Sequence, residues 1–160
     1  MVYTEAKIYD DSFWKDINKT WFKLRLPKTW NEVKPCSPII KFQAMNDVMK
    51  EEMVVNMNVA MEEISSFIPD GHAYVEESIR LMKKQMSKME LISKEIMEHE
   101  HVVFYKIEYL SEVKGVDFYN LSYVWPVMKN AVMLVMQTDI YHKDEVAPLF
   151  DKIFQSFKII

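Results

Sequence analysis

The chain is short of the residues that build the most recognisable sites. Glycine occurs only at positions 71 and 115, so no glycine-rich loop can bring backbone amides close to a phosphate. A P-loop and a dinucleotide fingerprint are thereby excluded. Cys36 is the single cysteine, which rules out an intramolecular disulfide and any cysteine-based zinc site. No apolar run approaches the length of a membrane span, and the first residues, MVYTEAKIYDD, lack the basic start and apolar stretch of a secretory leader. A cytoplasmic location without membrane insertion is the expectation. Cationic excess is lacking too: the net charge is −4, whereas nonspecific nucleic-acid binding depends on many cationic contacts to phosphate. Nucleic acid is not an expected partner.

What is present is apolar and aromatic. At 160 residues, with 49% hydrophobic and 28% charged side chains, the chain has the size and content of one domain with its own core. No repeat, low-complexity tract or linker interrupts it, so residues 1–160 are read as a single domain. Residues 1–18 show no clear period and are expected to form a peripheral N-terminal arm.

From there the pattern sharpens. In TWFKLRLP, Phe22, Leu24 and Leu26 alternate with Trp21, Lys23 and Arg25 up to Pro27, the mark of a half-buried strand. IIKF is a short strand candidate. In MVVNMNVAM, Met53, Val55, Met57, Val59 and Met61 share one face, and Val54, Asn56, Asn58 and Ala60 the other. Asp70 is placed to cap a helix whose stripe runs through Val75, Ile79, Met82, Met86 and Met89. Four period-two segments follow at 91–97, 102–110, 116–125 and 130–138, with VKG and PVMKN as turns; short connections predict an antiparallel meander. A last helix is expected after Asp144 as cap, with Val146, Leu149, Phe150, Ile153 and Phe157 as its apolar stripe.

The predicted fold class is α+β: an antiparallel sheet ending in a meander, layered with two main amphipathic helices. FKLRLPKTW resembles the strand-Pro-Trp opening of the PsbP-like and DcrB-like superfamily, and FDKIFQSFKI resembles the ending of those domains. VVNMNVAMEEI and YVEESIRLMKKQM fit the same plan, so the resemblance spans roughly residues 20–160. It implies an α/β sandwich, in a superfamily whose members include photosystem accessory proteins, a nuclear-transport GTPase partner and chaperones for secreted bacterial effectors. Most of these are binders rather than enzymes. The motifs carrying the resemblance are structural, and no functional residue is transferred from them.

Catalytic and metal signatures are thin. The Ser-x-x-Lys matches at Ser12 and Ser111 lack the companion motifs of a serine hydrolase. His99 and His101, in EHEH, would project to one side of an extended strand and are the only candidate metal pair. Arg80, Lys83, Lys84 and Lys88 are read as a solvated helix face. No catalytic residue, cofactor or metal is assigned. The remaining signal is apolar: Trp21, Val54, Phe104 and Phe118 are assigned to a side of the sheet that the two helices leave open, which predicts contact with another protein, its apolar segment or a second copy of the chain. A non-catalytic adaptor or secretion-effector chaperone is the leading expectation. A carrier holding a small apolar ligand between sheet and helix is the alternative.

Overall fold

Three tight turns set the register of half the molecule. The computed structural model describes residues 2–160; residue 1, at the head of the expected arm, lies outside the described residues. In it, β6 (Met89–His99), β7 (Val102–Val113), β8 (Val116–Val127) and β9 (Asn130–Asp139) form an antiparallel meander. The pairs His99–Val102, Val113–Val116 and Val127–Asn130 leave two-residue connections. Such loops match the right-handed twist of the strands when their residues take left-handed backbone angles. Glu100 (φ 51°), His101 (φ 67°), Lys114 (φ 51°), Gly115 (φ 80°) and Met128 (φ 55°) do so.

Only one of those five residues is glycine, so the others bear steric cost. His101→Gly, at the second turn position, is expected to raise stability by roughly 1 kcal/mol. A urea midpoint unchanged or lower than that of the parent would contradict this.

Earlier in the chain come α1 (Glu5–Ile8), β1 (Trp14–Asn18), β2 (Phe22–Pro27), β3 (Asn31–Glu32), β4 (Ile40–Met45), α2 (Val48–Glu51), β5 (Val55–Glu63) and α3 (Gly71–Gln85). After β9 come α4 (Lys143–Ser156) and β10 (Lys158–Ile159). Two sheets result: a large one ordered β3-β4-β5-β9-β8-β7-β6 and a small one ordered β1-β2-β10. The predicted α+β sandwich with its C-terminal meander is the architecture observed.

The main core lies between one face of the large sheet and a layer made of α4 and the small sheet. Val55, Met57 and Val59 of β5, Leu121, Tyr123 and Trp125 of β8, and Leu134 and Met136 of β9 meet Phe22, Leu24 and Leu26 of β2 and Val146, Leu149, Phe150 and Ile153 of α4. Burying one large side chain of this kind contributes about 1.5–3 kcal/mol, and the spacing of three, one and three in α4 puts its apolar residues on one side.

The expected peripheral arm is instead part of this core. Tyr3, Ile8 and Trp14 are buried, and β1 pairs with β2 along its whole length. Trp30 Nε1–H donates to the Tyr3 hydroxyl at 3.0 Å, and the Tyr3 hydroxyl donates to Glu51 at 2.8 Å. The aromatics of the first 18 residues carry more weight than their missing period suggested: a short helix and a short strand have no room to display one.

A second, smaller core lies on the reverse face. Tyr74, Val75 and Ile79 of α3 pack on Tyr105, Ile107, Tyr109, Val124 and Ala131. The helix starts where predicted, with Asp70 Oδ1 accepting from the Ala73 N–H at 2.8 Å. Its first residue is held close to the β8 end: a Cβ on Gly71 would fall 2.4 Å from Pro126 Cγ. The stripe stops short of the sequence reading, because Met86 is already extended and Met89 opens β6. Likewise α4 begins at Lys143, placing Asp144 inside its first turn rather than at the cap; its charge there still complements the helix dipole.

Candidate functional site: the open half of the sheet

The two main helices lie on opposite faces of the large sheet, not on one. α4 shares its face with the small sheet, which leaves no area there for α3. The reverse face, expected to stay bare, is therefore covered by α3 over β7 and one end of β8 and β9. Among the described residues, the rest of it, over β5, β9 and the start of β8, lies under neither α3 nor α4.

This open half is built by strand alternation. Val54, Asn56 and Asn58 along β5, Val135, Gln137 and Asp139 along β9, and Phe118 and Asn120 along β8 all point to the α3 side, because residues of one parity share one face. The register places Asn56 opposite Gln137 and Gln137 opposite Asn120. Their amides join. Asn56 Nδ2 donates to Gln137 Oε1 at 3.1 Å, Gln137 Nε2 donates to Asn120 Oδ1 at 2.8 Å, and Asn120 Nδ2 donates to Ser111 Oγ at 2.9 Å. Four strands are thus crossed by one line of hydrogen bonds with all donors running the same way. In the next row Gln43 stands opposite Asn58, and Gln43 Oε1 is buried without a hydrogen-bond partner.

The ladder ends against a carboxylate clamp. Asp139 is buried; its Oδ2 accepts from the Val54 N–H at 3.0 Å and its Oδ1 lies 2.6 Å from His142 Nδ1. The Asp139 N–H donates in turn to the Val54 carbonyl at 3.2 Å, and Asp139 faces Phe118 across the β8–β9 ladder. One row therefore holds Val54, Asp139 and Phe118. Asn56 and Gln137 each retain an unused amide N–H, so the surface offers donors and acceptors between half-exposed apolar side chains. At the boundary with α3, burial pushes the Tyr109 phenol pKa up, and a hydrogen bond with Ser122 works against that rise.

The four expected anchors separate. Val54 and Phe118 share the open half as described, both half-buried, with Asp139 between them. Phe104 does not join them: it is 5% exposed in the main core, stacked on Trp125 at 5.5 Å and beside Phe154 at 5.8 Å. The cause is register. Tyr105 pairs with Val124, so Phe104 shares the face of Trp125 and not that of Phe118. Trp21 lies on the other side of the molecule, in the β1–β2 connection, packed on Phe22 at 4.7 Å with its carbonyl accepting from the Ile160 N–H at 2.8 Å. The amide ladder and the Asp139–His142 pair escape a reading of the sequence alone. Asn56, Asn58 and Asn120 show their parity there, but Gln137 opens the polar end of a strand whose residues 131–136 are apolar on both faces.

His99 and His101 do not project together. Glu100 and His101 both take left-handed angles, so the extended geometry needed for a shared ion ends at His99. Among the described residues no three His, Cys, Asp or Glu side chains gather as metal ligands. The space between α3 and the sheet, where a small apolar ligand would sit, is filled by Val75 and Ile79 on Ile107 and Tyr109. Surface clefts occur elsewhere: one of about 280 Å³ beside Arg25, Lys152 and Ser156, and another of about 280 Å³ at the start of α3 beside Pro126 and Met128. Among the described residues no helix is long and apolar enough to cross a membrane.

No protein-family profile matches the chain, and no curated protein does. Solved structures do. Cyanobacterial PsbP from Synechocystis sp. PCC 6803 superimposes with a TM-score of 0.73 at 20% identity, covering 95% of both chains. PA94 of Pseudomonas aeruginosa, a protein of unknown function, gives 0.61 at 10% identity over 89% of this chain and 94% of its own. LpqN of Mycobacterium tuberculosis, described as involved in cell envelope biogenesis, gives 0.61 at 10% identity over 98% and 97%. These likenesses span nearly the whole length of each chain. The chain has the fold of the PsbP-like superfamily.

Proposed function

We propose that this chain is a non-catalytic protein-binding domain, acting as an adaptor or as a chaperone for a secreted effector, and that its contact surface is the open half of the large sheet. The observation that carries this reading is the amide ladder from Asn56 through Gln137 and Asn120, set beside half-exposed Val54 and Phe118. Side-chain amides paired with one another and still holding spare donors suit the backbone of a partner segment, and flanking apolar groups add the desolvated contacts that carry binding energy. Asp139 and His142 form the one acid–imidazole pair of the site. With Asp139 bound to the Val54 N–H, that pair ties β9 to β5 and serves structure.

The apolar face expected from sequence becomes a mixed one in this proposal. Val54 and Phe118 remain its anchors, whereas Phe104 and Trp21 drop out. Affinity capture from a cell extract, read by mass spectrometry, tests it. Combining Phe118→Ser with Gln137→Arg is expected to remove the captured polypeptide, and Trp21→Ser to leave it in place. Capture that survives the double substitution in a protein with a native circular dichroism spectrum would defeat the proposal.

A further inference from the structure

The two ends of the large sheet are unlike. β3, at one edge, is two residues long, while β6, at the other, is 11 residues long with no strand on its outer side among the described residues. Long free edges template pairing with another chain, and proteins usually blunt them. The first part of β6 is blunted: its register with β7 shifts between Leu91 and Ser93. From Ser93 to His99 the ladder is regular, and Ile96 in its middle is 62% exposed. Lys94, Ile96 and Glu98 stand opposite Ile107, Tyr105 and Val103, so all three side chains share the α3 face.

We propose that β6 pairs antiparallel with β6 of a second copy of this chain, about a two-fold axis through Ile96, joining two large sheets edge to edge. The charge pattern selects this register. In an antiparallel pair, opposed residues lie on the same face, so a two-fold axis must pass through a residue and not between two. An axis through Lys94 opposes two lysines, and an axis through Glu95 opposes two glutamates. An axis through Ser93 runs into the register shift, while one through Met97 sets Ile96 against Glu98 and carries Lys94 to Glu100, beyond the strand. Only the axis through Ile96 places apolar on apolar at the centre and Lys94 against Glu98 of the second copy, twice by symmetry. Lys94 is already paired with Glu76 of α3, which holds it in position on the α3 face. Val103, exposed on β7 beside Glu98, extends the apolar strip next to the methylenes of the incoming lysine.

Sedimentation velocity over a concentration series tests the proposal. The parent chain is expected to dimerise reversibly. Lys94→Glu and Glu98→Lys each set like charges opposite one another at two places and are expected to weaken the dimer by about tenfold or more. Mixing those two variants in equal amounts makes every facing pair opposite in sign, so dimer is expected to return as a heterodimer. Unchanged melting temperatures show that the exposed substitutions leave the fold intact. The proposal is overturned by a parent chain that stays monomeric at the highest concentration reached, by a dimer indifferent to both substitutions, or by a mixture that associates no better than its components. A dimer abolished instead by Phe118→Ser with Gln137→Arg assigns self-association to the open half of the sheet and also overturns it.

Discussion

Phe104→Ala is expected to lower the stability of this protein by about 3–5 kcal/mol, equivalent to a fall in melting temperature of roughly 10 °C for a chain of this size. The ring is one of four aromatics gathered under α4. Tyr123 and Phe154 lie 4.0 Å apart and almost parallel, Trp125 is 6.1 Å from each, and Phe104 closes the group against Trp125. Truncation removes both transferred apolar area and the offset contacts between rings, and neighbours anchored on β8 and α4 cannot collapse into the gap. Phe118→Ala is the internal control. That ring is half-buried at the start of β8, outside both apolar clusters, and its loss is expected to cost less than about 1 kcal/mol. Urea denaturation of the two variants side by side checks the assignment; equal effects, or a larger effect at Phe118, would mean that the β7–β8 register is wrong.

Asp139→Ala is expected to cost about 2–3 kcal/mol. The carboxylate is buried and both of its oxygens are engaged, one by the Val54 N–H and one by His142. Removing it strands a part-buried backbone N–H at the point where β5 begins. An unpaired buried donor costs more than the net value of the bond it loses. Asp139→Asn keeps one oxygen, and its cost is expected to be about half as large. His142→Ala leaves the bond to Val54 intact and removes a side chain that is about one-third exposed, so its effect is expected to stay below about 1 kcal/mol. The order Ala at 139, Asn at 139, Ala at 142, measured by chemical denaturation, is the signature of a clamp. An effect of His142→Ala equal to that of Asp139→Ala would show that the imidazole and not the strand junction depends on this carboxylate.

Most elements of the fold are legible in the order of residues. Alternation through Phe22, Leu24 and Leu26, and again through Val55, Met57 and Val59, marks strands whose inner faces are all buried; the stripe through Val75 and Ile79 marks α3, and the stripe from Val146 to Ile153 marks α4. Period-two and period-3.6 burial are local properties, so a window of ten residues suffices to show them. Face assignment is not local, and there the reading of Phe104 turns on a single residue. With Val113, Lys114 and Gly115 taken as a three-residue turn, Phe104 falls on the face of Val124 and Phe118. The observed turn holds only Lys114 and Gly115, which moves every side chain of β7 to the other face relative to β8.

What the sequence by itself determined is therefore the inventory: an antiparallel meander, two amphipathic helices, one domain's worth of apolar residues, and no glycine-rich or cysteine-based site. Each of those rests on nearest-neighbour chemistry along the chain. Tertiary structure alone decided which face each helix takes, because α4 and the small sheet compete with α3 for the same area and only their combined footprint excludes it. It also decided that Asn56, Gln137 and Asn120, separated by up to 81 positions, lie in one hydrogen-bonded row. No local pattern encodes that row, since it exists only once three strands from distant parts of the chain have been aligned by turns whose lengths differ in meaning by a single residue.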